Sequence, residues 1–381
     1  MGRPPGRPSS FSDTPGRHAA SVSRDCPTVG RTLVISDLHI GSREPCVLER
    51  PEPLATLVSA LAGYDRLVLL GDIVELLEPE AAERALTRSR PILTAIGAAL
   101  GPGAEIVYVP GNHDRPLIAN WLRATGEDLT PESVVPTDAS PRLAQITGSL
   151  AAAGSTVSVR YPGVSLEGSI WATHGHYLDR HLVPSGPWGL RRREQAAPRA
   201  VPYDYELRRR RELSPFAGRL PSGLQRAFEK LAEVTRASTM PQLLHEHILH
   251  PRLAPLTAAM LGAQTRRHSL PALLTVLTRL EIDAEWVVFG HVHRLGPLTG
   301  EYADRWAGPR GRPRIVNSGT WRYERLLAHG ATPPHPYWPG GAVAIEDGQA
   351  PRPVGLLDAL SADQLVPKGG GPDRARLQGA R

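Results

Sequence analysis

The chain has 381 residues, 41% hydrophobic and 22% charged, a balance that excludes wholesale disorder and fibrous repeats and fits a soluble protein of one or two domains. No apolar run approaches the roughly 18 residues that a membrane-spanning helix needs, which excludes an integral membrane protein of helical type. Lysine plus arginine number 44 against 38 acidic residues, and only Lys230 and Lys368 are lysine. The positive charge is therefore guanidinium, which suits phosphate partners, or else mirrors GC-rich coding.

Residues 1–30 are rich in Pro, Gly, Arg and Ser and lack the apolar stretch of a secretory signal; they read as a disordered N-terminal tail. Two cysteines, Cys26 and Cys46, cannot build a disulfide framework, which suits a reducing, cytoplasmic setting. From residue 32 the pattern changes. Residues 32–36 read as a buried strand running into Asp37-Leu38-His39. A helix follows over 52–61, with Leu54, Leu57, Val58 and Leu61 at helical spacing. Residues 66–70 form a second strand, ending in Gly71-Asp72, and the spacing predicts a helix over 80–99 that Pro91 kinks or splits. Residues 105–109 are a third strand, ending in Gly111-Asn112-His113-Asp114. Residues 169–173 run into His174-Gly175-His176, and residues 286–289 into Gly290-His291-Val292-His293. Strand-like runs at 314–317, 342–345 and 353–356 close the folded part, with a structural role for Asn317 to Trp321. Residues 367–381 read as a disordered C-terminal tail.

Strand, helix, strand, helix, strand implies parallel pairing, and continuous apolar runs imply strands covered on both faces. Ligands of such sheets gather beyond the carboxyl ends of the strands. Each motif alone has a plain turn-forming explanation; five of them, each at a strand end, do not share one. Together they offer Asp37, His39, Asp72, Asn112, His174, His291 and His293. Seven O/N donors without a thiolate exceed one tetrahedral zinc site and suit two divalent ions sharing a carboxylate, with Mn first and Fe or Zn as alternatives. Such a pair activates a bridging hydroxide and clamps a phosphoryl group for in-line attack. No phosphate-binding Gly-rich loop, nucleophile elbow or Cys-x-x-Cys competes with it.

The five blocks, in this order, resemble those of the calcineurin-like metallophosphoesterases. The resemblance implies an α/β fold, a four-layer α/β/β/α sandwich over residues 31–366 with metals at the strand ends. It assigns Asp37, His39 and His293 to one ion, Asn112, His174 and His291 to the other, and Asp72 to both. It makes His113 the general acid, oriented by Asp114, or else a ligand of a phosphate oxygen. His174 is the preferred metal ligand of its block, and His176 then faces substrate, although the two could exchange roles. The long segment before the last block resembles that of UDP-diacylglucosamine pyrophosphohydrolases, but that branch has Arg at the place of His113 and His-Gly-Asp at the place of His174-Gly-His176.

Residues 177–282 therefore read as an inserted, mainly helical cap, because a plain loop of that length is improbable. Leu224, Phe228, Leu231 and Val234 form a helical stripe, and 270–280 another helix. Arg191 to Arg193, Arg199 and Arg208 to Arg211 lie among Trp188, Tyr203 and Tyr205. They are either a solvated face or a patch turned to phosphate or to a membrane surface; His245, His247 and His250 read as ordinary residues. The expected partner is a small anionic phosphate-containing substrate. A nuclease of the same superfamily and a non-catalytic metal-binding scaffold are the alternatives, and retention of His113 argues against the scaffold.

Overall fold

The computed structural model describes residue 2 and residues 30–42, 46–77, 82–184, 190–192, 199–207, 253–346 and 349–366. All of the N-terminal tail but residues 2 and 30, the whole C-terminal tail, Cys26, Trp188, Arg193, the Arg208 to Arg211 run, the Leu224 to Val234 stripe and His245, His247 and His250 lie outside the described residues.

Strands β1 (Arg31–Ile35), β2 (Arg66–Leu69) and β3 (Glu105–Tyr108) lie parallel, with Thr32 opposite Arg66 and Arg66 opposite Glu105. This register also aligns Ile35, Leu69 and Tyr108, so the three strands end at one rim. Two helices connect them: α1 (Pro51–Leu61) and α2 (Ala82–Leu100). Pro91 does not split the helix: α2 runs through it, with the proline on the exposed face and Leu86, Leu93 and Ile96 buried on the other.

After β3 come α3 (Ala119–Thr125), β4 (Glu132–Val135) and α4 (Pro141–Leu150), whose N-terminus is capped by Ser140. Then β5 (Thr156–Leu166) changes sheets. Its first residues pair parallel with β3, and its last, from Gly163, pair antiparallel with β6 (Ile170–Thr173). Further along lie the hairpin β7 (Leu182–Pro184) and β8 (Leu190–Arg192), α5 (Pro202–Glu206), α6 (Ala254–Gln264) and α7 (Leu270–Arg279). The chain closes with β9 (Trp286–Phe289), β10 (Arg314–Asn317), α8 (Arg325–Ala328), β11 (Gly341–Glu346) and β12 (Arg352–Gly355). The strand order is β10-β9-β6-β5-β3-β2-β1-β11-β12, with β4 on β5.

Alternation along the strands shows how this single path folds into layers. On β1, Leu33 and Ile35 enter one core and Val34 another; on β9, Val287 and Phe289 enter a third core while Val288 joins Val34. Three apolar interfaces require four layers. The first core joins α1, α2 and α4 to the half-sheet of β1, β2 and β3. The second, formed by Val34, Val68, Val107, Ala172, Val288 and Val316, lies between the half-sheets. The third packs Leu270, Leu273 and Leu277 of α7 on Trp171, Val287, Phe289 and Ile315. Each such fully buried Val, Leu or Ile contributes about 1.5–3 kcal/mol relative to exposure.

Within the span expected as a cap, Leu270, Leu273 and Leu277 pack on the second half-sheet, while Val276 and Leu280 join the first core. The described part of 177–282 also includes a β-hairpin and not only helices. Cys46 is buried with a free thiol. Among the described residues no helix is long and apolar enough to cross a membrane.

Candidate metal centre

Every candidate ligand lies within four residues past the end of a strand. Asp37 and His39 follow β1, Asp72 follows β2, Asn112 and His113 follow β3, His174 follows β6, and His291 and His293 follow β9. Five of them adopt left-handed backbone conformations: φ is 56° at Asp37, 47° at His39, 53° at Asp72, 68° at His291 and 54° at His293. A side chain at positive φ costs on the order of 1–3 kcal/mol, and such strain collects where surrounding structure forces it for function. Here the forcing contacts are main-chain bonds between neighbouring strand ends. Asp37 N donates to Gly71 O at 3.0 Å, and His39 N to Asp72 O at 2.8 Å. His291 N donates to the Asp37 carboxylate at 3.0 Å.

The motif glycines are close approaches. A Cβ on Gly111 would stand 2.3 Å from Asp72 Oδ1 and 2.8 Å from His174 Cδ2. One on Gly290 would stand 2.5 Å from Ser36 Oγ and 2.6 Å from Asp37 Oδ2. Glycine is required at both because a donor side chain occupies the space.

The donors form two groups. In the first, His39 Nε2 lies 3.1 Å from His293 Nε2, and His293 Nε2 lies 3.3 Å from Asp37 Oδ1. In the second, His174 Nε2 lies 3.2 Å from both Asp72 Oδ2 and Asn112 Oδ1, and His291 completes the cluster with Asp72 and His174. Asp72 Oδ2 is also 3.7 Å from His39 Nε2, so this carboxylate touches both groups. Ligands bound at about 2.0–2.2 Å to one ion stand about 3 Å apart. Imidazole nitrogens converging at that spacing on buried carboxylates fit a pair of divalent ions.

The far nitrogens of the imidazoles are anchored, a pattern that orients metal-ligating histidines. His174 Nδ1 meets Leu70 O at 2.9 Å, His293 Nδ1 meets Glu324 Oε1 at 2.6 Å, and His291 Nε2 meets Asp179 Oδ2 at 3.0 Å. Glu75 serves two rings: His113 Nδ1 at 2.6 Å and His39 Nδ1 at 3.5 Å. Sequence reasoning missed Glu75, Asp179 and Glu324. A signal existed for Glu75, a lone acidic residue three places after Asp72 in an apolar run; Glu324 and Asp179 carry none.

The electrostatics favour positive charge between the carboxylates. Burial opposes ionisation of Asp37 and Asp72, yet His293 holds Asp37 below its ordinary value, and His174 and His113 hold Asp72 well below it. Burial likewise opposes charge on His174, but Asp72 raises it to about 9; Asp37 and Glu324 raise His293 to about 10. Burial prevails at His39, lowered to about 4, and leaves it a neutral donor.

One expected partnership meets a different arrangement. Asp114, expected to orient His113, is fully buried and accepts from the main-chain N–H groups of Ile73, Val74 and Gly111 at 3.1, 2.9 and 3.2 Å. It knits the second and third strand ends together, and Glu75 makes the short contact to the His113 ring. His176 places Nε2 3.1 Å from Tyr161 Oη, beside the buried Glu206. His174 is the member of that block in the donor cluster. Asn317 has the expected structural part: its Nδ2 donates to Gly290 O at 2.6 Å.

Residues 30–295 match the family described as calcineurin-like phosphoesterase, and no curated protein matches the chain. With that match spanning most of the chain and the paired His/Asp clusters at its strand ends, the protein belongs to the calcineurin-like phosphoesterase family.

Proposed function

We propose that the centre hydrolyses a phosphodiester, pyrophosphate or phosphomonoester with two divalent ions, Mn first and Fe or Zn as alternatives. The observation that carries this reading is Asp72, whose Oδ2 lies within 3.7 Å of a donor from each group. In it Asp37, His39, His293 and Asp72 hold one ion, and Asp72, Asn112, His174 and His291 the other. Bound there, the ions supply Lewis acidity and a water activated at neutral pH.

The remaining chemistry falls to His113. Glu75 holds its Nδ1, and the other ring nitrogen, Nε2, lies 3.9 Å from Asp72 Oδ2 on the side of the centre. Burial opposes its charge, but Asp72 and Glu75 raise it to about 9. In this reading the ring enters the reaction protonated and delivers that proton to the leaving oxygen.

The test is Asp72→Ala in Mn-loaded protein, with metal content measured beside turnover. Both ions and hydrolysis of bis-p-nitrophenyl phosphate should be lost together. Full turnover by a metal-free Asp72→Ala protein would overturn the reading.

A further inference from the structure

Directly after Asn112-His113-Asp114 comes Arg115, and its side chain is not part of the donor clusters. Its Nε donates to Glu206 Oε2 at 2.8 Å. Glu206 belongs to α5, about ninety residues further on, and its side chain is only 4% exposed. The same carboxylate accepts from Tyr161 Oη, which in turn meets His176; the His176 ring centroid is 5.6 Å from that of His174. The Arg115–Glu206 pair is therefore linked to His174 through Tyr161 and His176.

The anchor is rigid. Tyr205, next to Glu206, stacks on Tyr177 with ring centroids 4.6 Å apart and planes 8° from parallel. Arg279 lies over the Tyr205 ring at 5.4 Å. The arginine is held differently: its side chain is 29% exposed, and its terminal amino groups make no hydrogen bond to any described residue. A buried ion pair gains little stability over an apolar contact, so a charged pair with its cation protruding suits a ligand better than packing. A guanidinium fixed through Nε presents a two-pronged edge that matches an oxyanion.

We propose that Arg115, positioned by Glu206, receives a second anionic group of the substrate, next to the phosphate held at the ions. The favoured substrate class is then a diester of diphosphate, as in nucleoside-diphosphate conjugates, over a diester of a single phosphate. This rests on the phosphoesterase reading above.

The test compares UDP-glucose with bis-p-nitrophenyl phosphate on the Mn-loaded full chain. Arg115→Gln should lower the ratio of the two kcat/KM values by about 10- to 100-fold, as expected for a lost charge-assisted hydrogen-bond pair. The loss should appear in KM for the diphosphate. Arg115→Lys keeps the charge without the fork and should recover only part of the ratio. Glu206→Gln, with its melting temperature measured alongside, should raise the same KM. An unchanged ratio in Arg115→Gln, or a wild type that cleaves only the single-phosphate diester, would overturn the inference and leave the phosphoesterase reading standing. Wild-type protein that binds no ions and cleaves neither substrate would overturn both.

Discussion

The two halves of the centre are built on different physical devices. Around Asp37, His39 and His293, all three residues have left-handed backbones, and carboxylates stand behind the rings: Glu324 at 2.6 Å from His293 and Glu75 at 3.5 Å from His39. Around Asp72, Asn112, His174 and His291 the support is mostly main chain, although Asp72 and His291 share the left-handed backbone and Asp179 stands behind His291. His174 leans on Leu70 O, Asp72 accepts the His113 N–H at 2.9 Å, and Gly111 lets the three strand ends close together. The first half is tuned by charge and the second by shape. Perturbing charge should change how tightly an ion is held there, whereas perturbing shape should remove the place for it.

His113 stands between the halves, on the loop of Asn112 but tied to Glu75, and its replacement separates chemistry from ion binding. His113→Gln should retain two ions per chain by elemental analysis while turnover falls roughly 10²–10⁴-fold. The loss should shrink for leaving groups that need no proton, such as nitrophenolate; equal loss across leaving groups would assign the ring to phosphate binding.

Gly111→Ala attacks the half built on shape. The added methyl overlaps Asp72 and His174, so overpacking should destabilise the fold by about 1–3 kcal/mol. Displaced donors should lower turnover by about 10²-fold, with the second ion lost first. A variant with wild-type melting temperature and two ions bound would contradict the steric account.

Glu324→Gln tests the half built on charge and should have the mildest effect on turnover. Affinity for the first ion should fall about 10- to 100-fold, the usual consequence of removing a carboxylate behind a ligating imidazole. Titration calorimetry should show the second ion unaffected. Asp179→Asn should change less, since that side chain is 35% exposed and its charge is screened by water.

The part of this that could be read from sequence follows from local rules. Strands β1, β2, β3, β6 and β9 were visible because burial on both faces makes them unbroken apolar runs, and their polar ends name the seven donors. Strand β5 was not, because Pro162 and Gly163 interrupt it where it changes sheets. The helix α7 was visible as an amphipathic stripe, but a stripe does not say which sheet it covers. Asp179 and Glu324 act only through tertiary proximity, so nothing in their neighbours marks them, whereas Glu75 stands out only as an acidic residue in an apolar run. Asp114 was visible and given a different partner, since sequence adjacency to His113 says nothing about where a carboxylate finds buried N–H groups.

The separations along the chain also bear on how the protein is made. His39 and His293, 3.1 Å apart, are separated by 254 residues, and Ser36 and Ser318, 2.6 Å apart, by 282. During synthesis Asp37, His39 and Asp72 leave the ribosome long before the strand that carries His291 and His293. Contacts this non-local form late, because a large loop must close before they are rewarded. The centre is thus a finishing step of folding, and an ion arriving there meets a protein whose layers are already assembled, as a seal on the structure rather than its seed.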